Sequence, residues 1–187
     1  MSNSIKGIAV SGKSGCGNTT TSSTLAHTLG FSLVNYTFRN LAVDEGLEFE
    51  EVRRLAETDD KWDKLVDSRQ VAMAKSHPSV LASRLAIWVW PEAQLKVYLD
   101  APLEIRAGRI LEREQRKNPG SKLTYRDVFE HTRQRDEADH QRYQRLYGID
   151  NDNWSHADLV IDVSSITPDE IVARILTHMG LNPRGTP

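Results

Sequence analysis

The residues best equipped for chemistry stand near the start of the chain: Gly12, Lys13, Ser14, Gly15, Cys16, Gly17, Asn18, Thr19 and Thr20 in unbroken succession. Glycines at 12, 15 and 17 let the backbone curl until successive N–H groups face inward. A helix following directly adds the positive end of its dipole, so the segment suits an anion, and a phosphate above all. Thr19 sets a hydroxyl where a Mg2+ bridging nucleotide phosphates takes one.

The pattern is that of a P-loop, G-x-x-x-x-G-K-[ST], with one departure: the lysine position is Asn18. Asparagine donates a hydrogen bond but brings no charge. Losing one well-placed transition-state donor typically costs about 100- to 1000-fold in rate. Lys13, second in the loop, is one candidate for the missing cation, and an arginine from a lid is another. A plain exposed lysine on a tight turn is the competing reading of Lys13. Cys16 reads as a small loop residue rather than a reactive thiol.

Further candidates lie between residues 104 and 145, where nine Arg and two Lys face eight carboxylates in a chain of net charge −2. A locally arginine-rich segment in an acidic protein fits a small polyanion better than a nucleic-acid backbone. Positions 135, 139 and 142 follow i, i+4, i+7, so Arg135, Asp139 and Arg142 share one helix face. Two guanidinium groups and a carboxylate there bind phosphate oxygens and accept from an exocyclic amine. Taken alone, the same trio is equally an i,i+4 salt bridge on a solvated helix. The six histidines are scattered without metal-ligand spacing, and no persuasive nucleophile is present. Asp100 either holds a Mg2+-bound water or caps the helix that Pro102 starts, and the cap is the expected role.

Short β-branched runs at 6–11, 31–36, 79–82, 95–99 and 159–163 predict five buried strands. Helices are predicted over 19–29, ended by Gly30, and over 38–43, stopping near Gly46. A third repeats Phe49, Val52, Leu55 and Ala56. A fourth starts at Asp60 as N-cap and sets Trp62, Leu65, Val66 and Met73 on one side. Another runs from Pro102 to a break at 117–122. Thr124 with Asp127 opens a long helix to about Tyr147, and Thr167-Pro168-Asp169-Glu170 opens the last, stopped by Gly180. The tail 182–187 is expected to fray. Alternating strands and helices imply a parallel sheet covered on both faces. With 187 residues, 39% of them hydrophobic, no membrane-spanning run, no secretory signal and one cysteine, a single cytoplasmic domain is expected, acting as a monomer.

In order and spacing, IAVSGKSGCGNTT, FRNLA, EVRRLAETDDKWDKLVDSRQ, VLASRL, LKVYLDAPLEIRAGRILERE, TRQRDEADHQRYQRLYGID and DLVIDVSS resemble the cytidylate kinase family of nucleoside monophosphate kinases, in its short archaeal-type form. The resemblance covers nearly the whole chain. It implies a P-loop NTPase α/β fold, a three-layer α/β/α sandwich on a five-stranded parallel sheet. A helical monophosphate-binding insert at 37–77 and a lid at 113–123 go with it. The activity implied is transfer of the γ-phosphoryl of ATP to CMP or dCMP with Mg2+, without nucleic-acid or membrane partners. By the same resemblance Arg39 and Arg84 grip the acceptor, Arg113 and Arg116 belong to the lid, and Arg135, Asp139 and Arg142 surround the acceptor nucleotide. Arg113 and Arg135 are then catalytic cations, joined by Lys13 where that residue replaces the missing loop lysine. The chain departs from many relatives at Tyr36, where they carry an acid, and at Ala82-Ser83, where they read Glu-Gly. Two other readings stand beside this one: a regulatory nucleotide-binding protein with little turnover, and a related kinase with another small acceptor.

Overall fold

The computed structural model describes residues 5–182. Five strands form one parallel sheet: β1 (Gly7–Ser11), β2 (Ser32–Val34), β3 (Ser79–Ala82), β4 (Leu95–Asp100) and β5 (Leu159–Asp162). Their order is β2-β3-β1-β4-β5, with Val10 level with Ala82 on one side and Val97 on the other. The expected second strand is shorter than its apolar run.

Period-two alternation divides the core between two layers. Ile8, Val10, Val80, Val97 and Leu99 pack against α1 (Asn18–Leu29) and α8 (Pro168–His178). Ala9, Leu81 and Tyr98 face the opposite layer, with Ala74, Ile87 and Trp90. Ile87 belongs to α5 (Ala86–Val89), a single turn too short to leave a periodic signal in the sequence. The expected three-layer architecture is present.

Between β2 and β3 the chain builds α2 (Phe38–Glu45), α3 (Phe49–Thr58) and α4 (Lys61–Ser76), which share an apolar cluster of Leu41, Val52, Trp62 and Val66. The inward residues of α4 are Trp62, Val66, Gln70 and Ala74, a strict i+4 stripe. Met73, expected on that side, is exposed. Asp60 stands at the N-cap position without capping, since its own backbone is already helical (φ −60°, ψ −14°), and its carboxylate pairs with Arg145; Asp59 accepts from the Lys61 N–H at 3.0 Å instead.

Beyond β4, α6 (Leu103–Lys117) and α7 (Tyr125–Tyr147) pack against each other across the 118–124 connection. The Thr124/Asp127 and Thr167/Glu170 capping boxes form as their spacing predicts, and Gly30 and Gly46 end their helices in the left-handed conformation. Asp100 does not cap α6, whose N-cap is Pro102 with no side-chain capping bond. The tail beyond 182 lies outside the described residues.

β1 is the central strand: the chain runs from it to β2 and β3 on one side and then crosses to β4 and β5 on the other, all five strands parallel. The segments following β1, β3 and β4 therefore gather at one edge, bringing the 12–20 loop beside Arg84 and Asp100.

Candidate phosphoryl-transfer site

Gly12 must be glycine: a Cβ there would lie 2.5 Å from the Leu99 carbonyl oxygen and 2.6 Å from Asn18 Oδ1. Gly15 has φ +92°, and its Cβ would meet the Arg106 backbone at 2.8 Å. The Cys16 N–H closes the turn on the Lys13 carbonyl at 3.2 Å, and α1 begins directly afterwards. Burial raises the Cys16 thiol to about 11, so it is an inert filler at neutral pH.

Asn18 works as a staple rather than a cation. Its Nδ2 donates to the Gly12 carbonyl at 2.5 Å, tying the two ends of the loop, while Oδ1 is buried without a partner among the described residues. Lys13 forms an ion pair with Asp152, on the segment after α7. His140 adjoins the same carboxylate: its Nδ1 is 3.6 Å from Asp152, 3.8 Å from Asp150 and 2.9 Å from Asn151 Oδ1. Folding thus gathers one histidine with two carboxylates whose sequence spacing carried no metal signal.

The loop forms one wall of a cleft of about 1140 Å³. Lys13, Arg84, Arg109, Arg113, Arg116 and Arg135 all border it. Arg106, Arg109, Arg113 and Arg116 run i, i+3, i+7, i+10 down one face of α6, from a buried base to an exposed tip. Buried Arg106 fixes the base: it donates to the Ala101 carbonyl at 3.0 Å and the Ser14 carbonyl at 3.2 Å, and pairs with Asp136 at 2.7 Å. One guanidinium therefore fastens the phosphate loop to α6 and α7. Arg109 donates to the Val163 carbonyl at 2.6 Å.

Of the trio on α7, Arg135 borders the cleft. Burial and the adjacent Arg84 hold its pKa below the usual arginine value. Asp139 pairs with Arg84 and lies 3.9 Å from Arg135. Its carboxylate holds two cleft cations rather than standing free for a base. Arg142 is occupied too: it pairs with Asp63 of α4, donates to the Ala56 carbonyl at 3.2 Å and lies 5.9 Å from the Phe38 ring. Arg39 lies over Phe49 at 4.0 Å, exposed and outside the residues bordering the cleft. The structure therefore brings Lys13, Arg84, Arg113, Arg116 and Arg135 together, and sets Arg39 apart.

Sequence reasoning missed the face that α4 turns to the cleft. Asp63, Asp67 and Gln70 stand at i, i+4, i+7 and border it with Tyr36 and Tyr143. Asp67 accepts from the Tyr147 hydroxyl at 2.6 Å, and burial raises its carboxyl to about 6. The signal was available: Asp63, Asp67 and Gln70 repeat the spacing of Arg135, Asp139 and Arg142. Nothing in the sequence says that the two stripes meet.

A profile of the cytidylate kinase-like family matches residues 7–165. The chain is 45% identical over 168 residues to the "Cytidylate kinase 2" of Borreliella afzelii, covering 88% of this chain and 90% of that one. It is 38% identical to the "Cytidylate kinase" of Pyrococcus furiosus, covering 89% and 84%. Among solved structures it shares its fold with the shikimate kinase of Acinetobacter baumannii (TM-score 0.58, 14% identity, 94% of this chain and 93% of that one). The deoxyadenosine kinase of M. mycoides is similar in the same sense (TM-score 0.52, 13% identity, 92% and 98%).

Proposed function

The chain belongs to the cytidylate kinase-like family, and on that premise we propose that the cleft bordered by the 12–20 loop and the arginines of α6 and α7 is its active site. The protein is an ATP-dependent nucleoside monophosphate kinase acting on CMP. We extend the acceptor to dCMP. The observation that carries the site assignment is the convergence of six cations on one cleft beside a phosphate loop.

Phosphoryl transfer asks for positioning and for positive charge around oxygens that gain negative charge. Loop amides and the start of α1 hold the donor phosphates. Lys13 exchanges Asp152 for phosphate oxygens, taking the role that Asn18 lacks the charge to fill. Arg84 and Arg135, both anchored by the Asp139 carboxylate, grip the acceptor phosphate, and Arg39 swings in from Phe49 to join them. Arg113 and Arg116, at the exposed end of α6, close with the 118–124 connection as a lid. Helices α2–α4, with their own apolar cluster, form the monophosphate-binding region of a single domain. Arg142 ties α7 to that region through Asp63.

The residues present fit Mg2+: the Thr19 hydroxyl and the Asp100 carboxylate are hard oxygen donors, and Asp100 is not used as a helix cap. When bound, the ion screens the charge of the donor phosphates. We further infer a monomer that works in the cytoplasm; none of the described helices is long and apolar enough to cross a membrane.

A coupled assay of ADP release with CMP, dCMP, UMP and AMP tests the function. Turnover is expected with CMP and dCMP. No turnover with any of the four, at high enzyme concentration, sinks it in favour of a nucleotide-binding protein without kinase activity. Turnover only with another small acceptor points to a related kinase.

A further inference from the structure

The cleft has two chemically different ends. The loop and the α6 stripe make one end basic. At the other, α4 presents Asp63, Val66, Asp67 and Gln70 beside Tyr36, Phe38 and Tyr143. Two arginines come near this α4 face, and both are paired: Arg142 with Asp63, and Arg84, close to Asp67, with Asp139. That end therefore offers apolar surface and hydrogen-bond acceptors, the surroundings of a flat heterocycle that presents donors.

Gln70 is the most informative residue there. It is 5% exposed, and its Nε2 donates to the Tyr36 carbonyl at 2.7 Å. A carbonyl only accepts, so this contact fixes the amide orientation and leaves Oε1 as an acceptor. Oε1 has no partner among the described residues. A buried acceptor without a donor is costly, and native folds keep one where something supplies the donor. One turn before it, Asp67 gives Oδ2 to Tyr147, leaving its other oxygen available.

We propose that Gln70 Oε1 and the free oxygen of Asp67 read the acceptor base, each accepting one hydrogen of the 4-amino group of cytosine. The assignment rests on the cleft being the CMP site. Uracil carries a carbonyl oxygen at the same position, so it would set acceptor against acceptor and be refused. Asp139 and Arg142 are left as positioning residues, holding Arg84 and Asp63 respectively.

The test is steady-state kinetics of the full chain with CMP, UMP and the 2-pyrimidinone ribonucleoside monophosphate, which lacks the 4-amino group. The wild type should lose about tenfold or more in kcat/KM when that group is deleted. Gln70→Leu should lose about tenfold on CMP, mainly through KM, and change little on the 2-pyrimidinone nucleotide. Asp67→Asn turns an amide donor toward the base and should raise kcat/KM for UMP at least threefold while lowering it for CMP. A purely structural role for these residues would lower all three substrates together, leave the CMP-to-UMP ratio within twofold of wild type in both variants, and overturn the proposal. Wild-type turnover of CMP checks the function separately: with it intact, an unchanged ratio refutes base reading alone.

Discussion

Lys13→Ala is the perturbation that bears most directly on how this kinase manages without a lysine at position 18. Lys13 is the cation carried by the phosphate loop itself, and it is paired with Asp152. That pair is exposed on the Asp152 side, at 53%, and 23% exposed at Lys13, so it is worth about 1 kcal/mol at most. On the proposed role, nucleotide phosphates, which carry more charge than one carboxylate, are expected to displace it. Removing the Lys13 ammonium should then cost about 100- to 1000-fold in kcat, the usual toll of one preorganised transition-state donor. Asn18→Ala behaves differently. It removes the staple to the Gly12 carbonyl, worth about 1 kcal/mol, and no charge, so kcat should stay within about tenfold of wild type. Asp152→Asn frees Lys13 before ATP arrives and should lower the KM for ATP about two- to fivefold. The assay is coupled ADP release at saturating CMP, with ATP varied. If Lys13→Ala keeps kcat within fivefold of wild type, or if Asn18→Ala is the more damaging change, Lys13 is not the substitute cation and an arginine of α6 is.

Three further outcomes follow from the contacts of the site. Gly15→Ala forces a Cβ into a left-handed residue and to 2.8 Å from the Arg106 backbone, costing about 1–2 kcal/mol from the backbone alone; a melt should show the Tm about 5 °C lower and ATP should no longer bind. Arg106→Met leaves Asp136 unpaired in a largely buried position and should lower stability to urea by about 3–5 kcal/mol; an unchanged midpoint would show that the clamp contributes nothing. Asp67, raised by burial from 3.8 to about 6 among Asp63, Arg84, Arg142 and Tyr147, holds its proton more tightly folded than unfolded. Its contribution is therefore fully favourable below pH 4 and is lost as pH rises through 6. Asp67→Asn should stabilise the protein by up to about 3 kcal/mol at pH 8 and by almost nothing at pH 4, as read by denaturation at the two pH values.

Much was legible in the sequence because it depends on near neighbours. Continuous apolar runs in GIAVS, VLA and LKVYL mark strands of a parallel sheet buried on both faces, and the capping boxes at Thr124 and Thr167 mark where two helices start. Met73 has the spacing and the apolar side chain of an inward residue yet is exposed, whereas the fold turns Gln70 inward, where its amide bonds the Tyr36 carbonyl.

The amino-acid sequence by itself determined the phosphate loop: three glycines, their spacing, and the absence of a lysine at position 18. Backbone conformation and helix dipole are local properties, so no distant residue was needed to read them. Only the tertiary structure decided what each charge is for. Asp152 on Lys13, Asp63 on Arg142, Asp139 on Arg84 and Asp136 on Arg106 are pairs between elements distant in the chain. An ionic group declares its charge in the sequence, but its role depends on which partner lies within about 4 Å, and that distance exists only once the chain has folded.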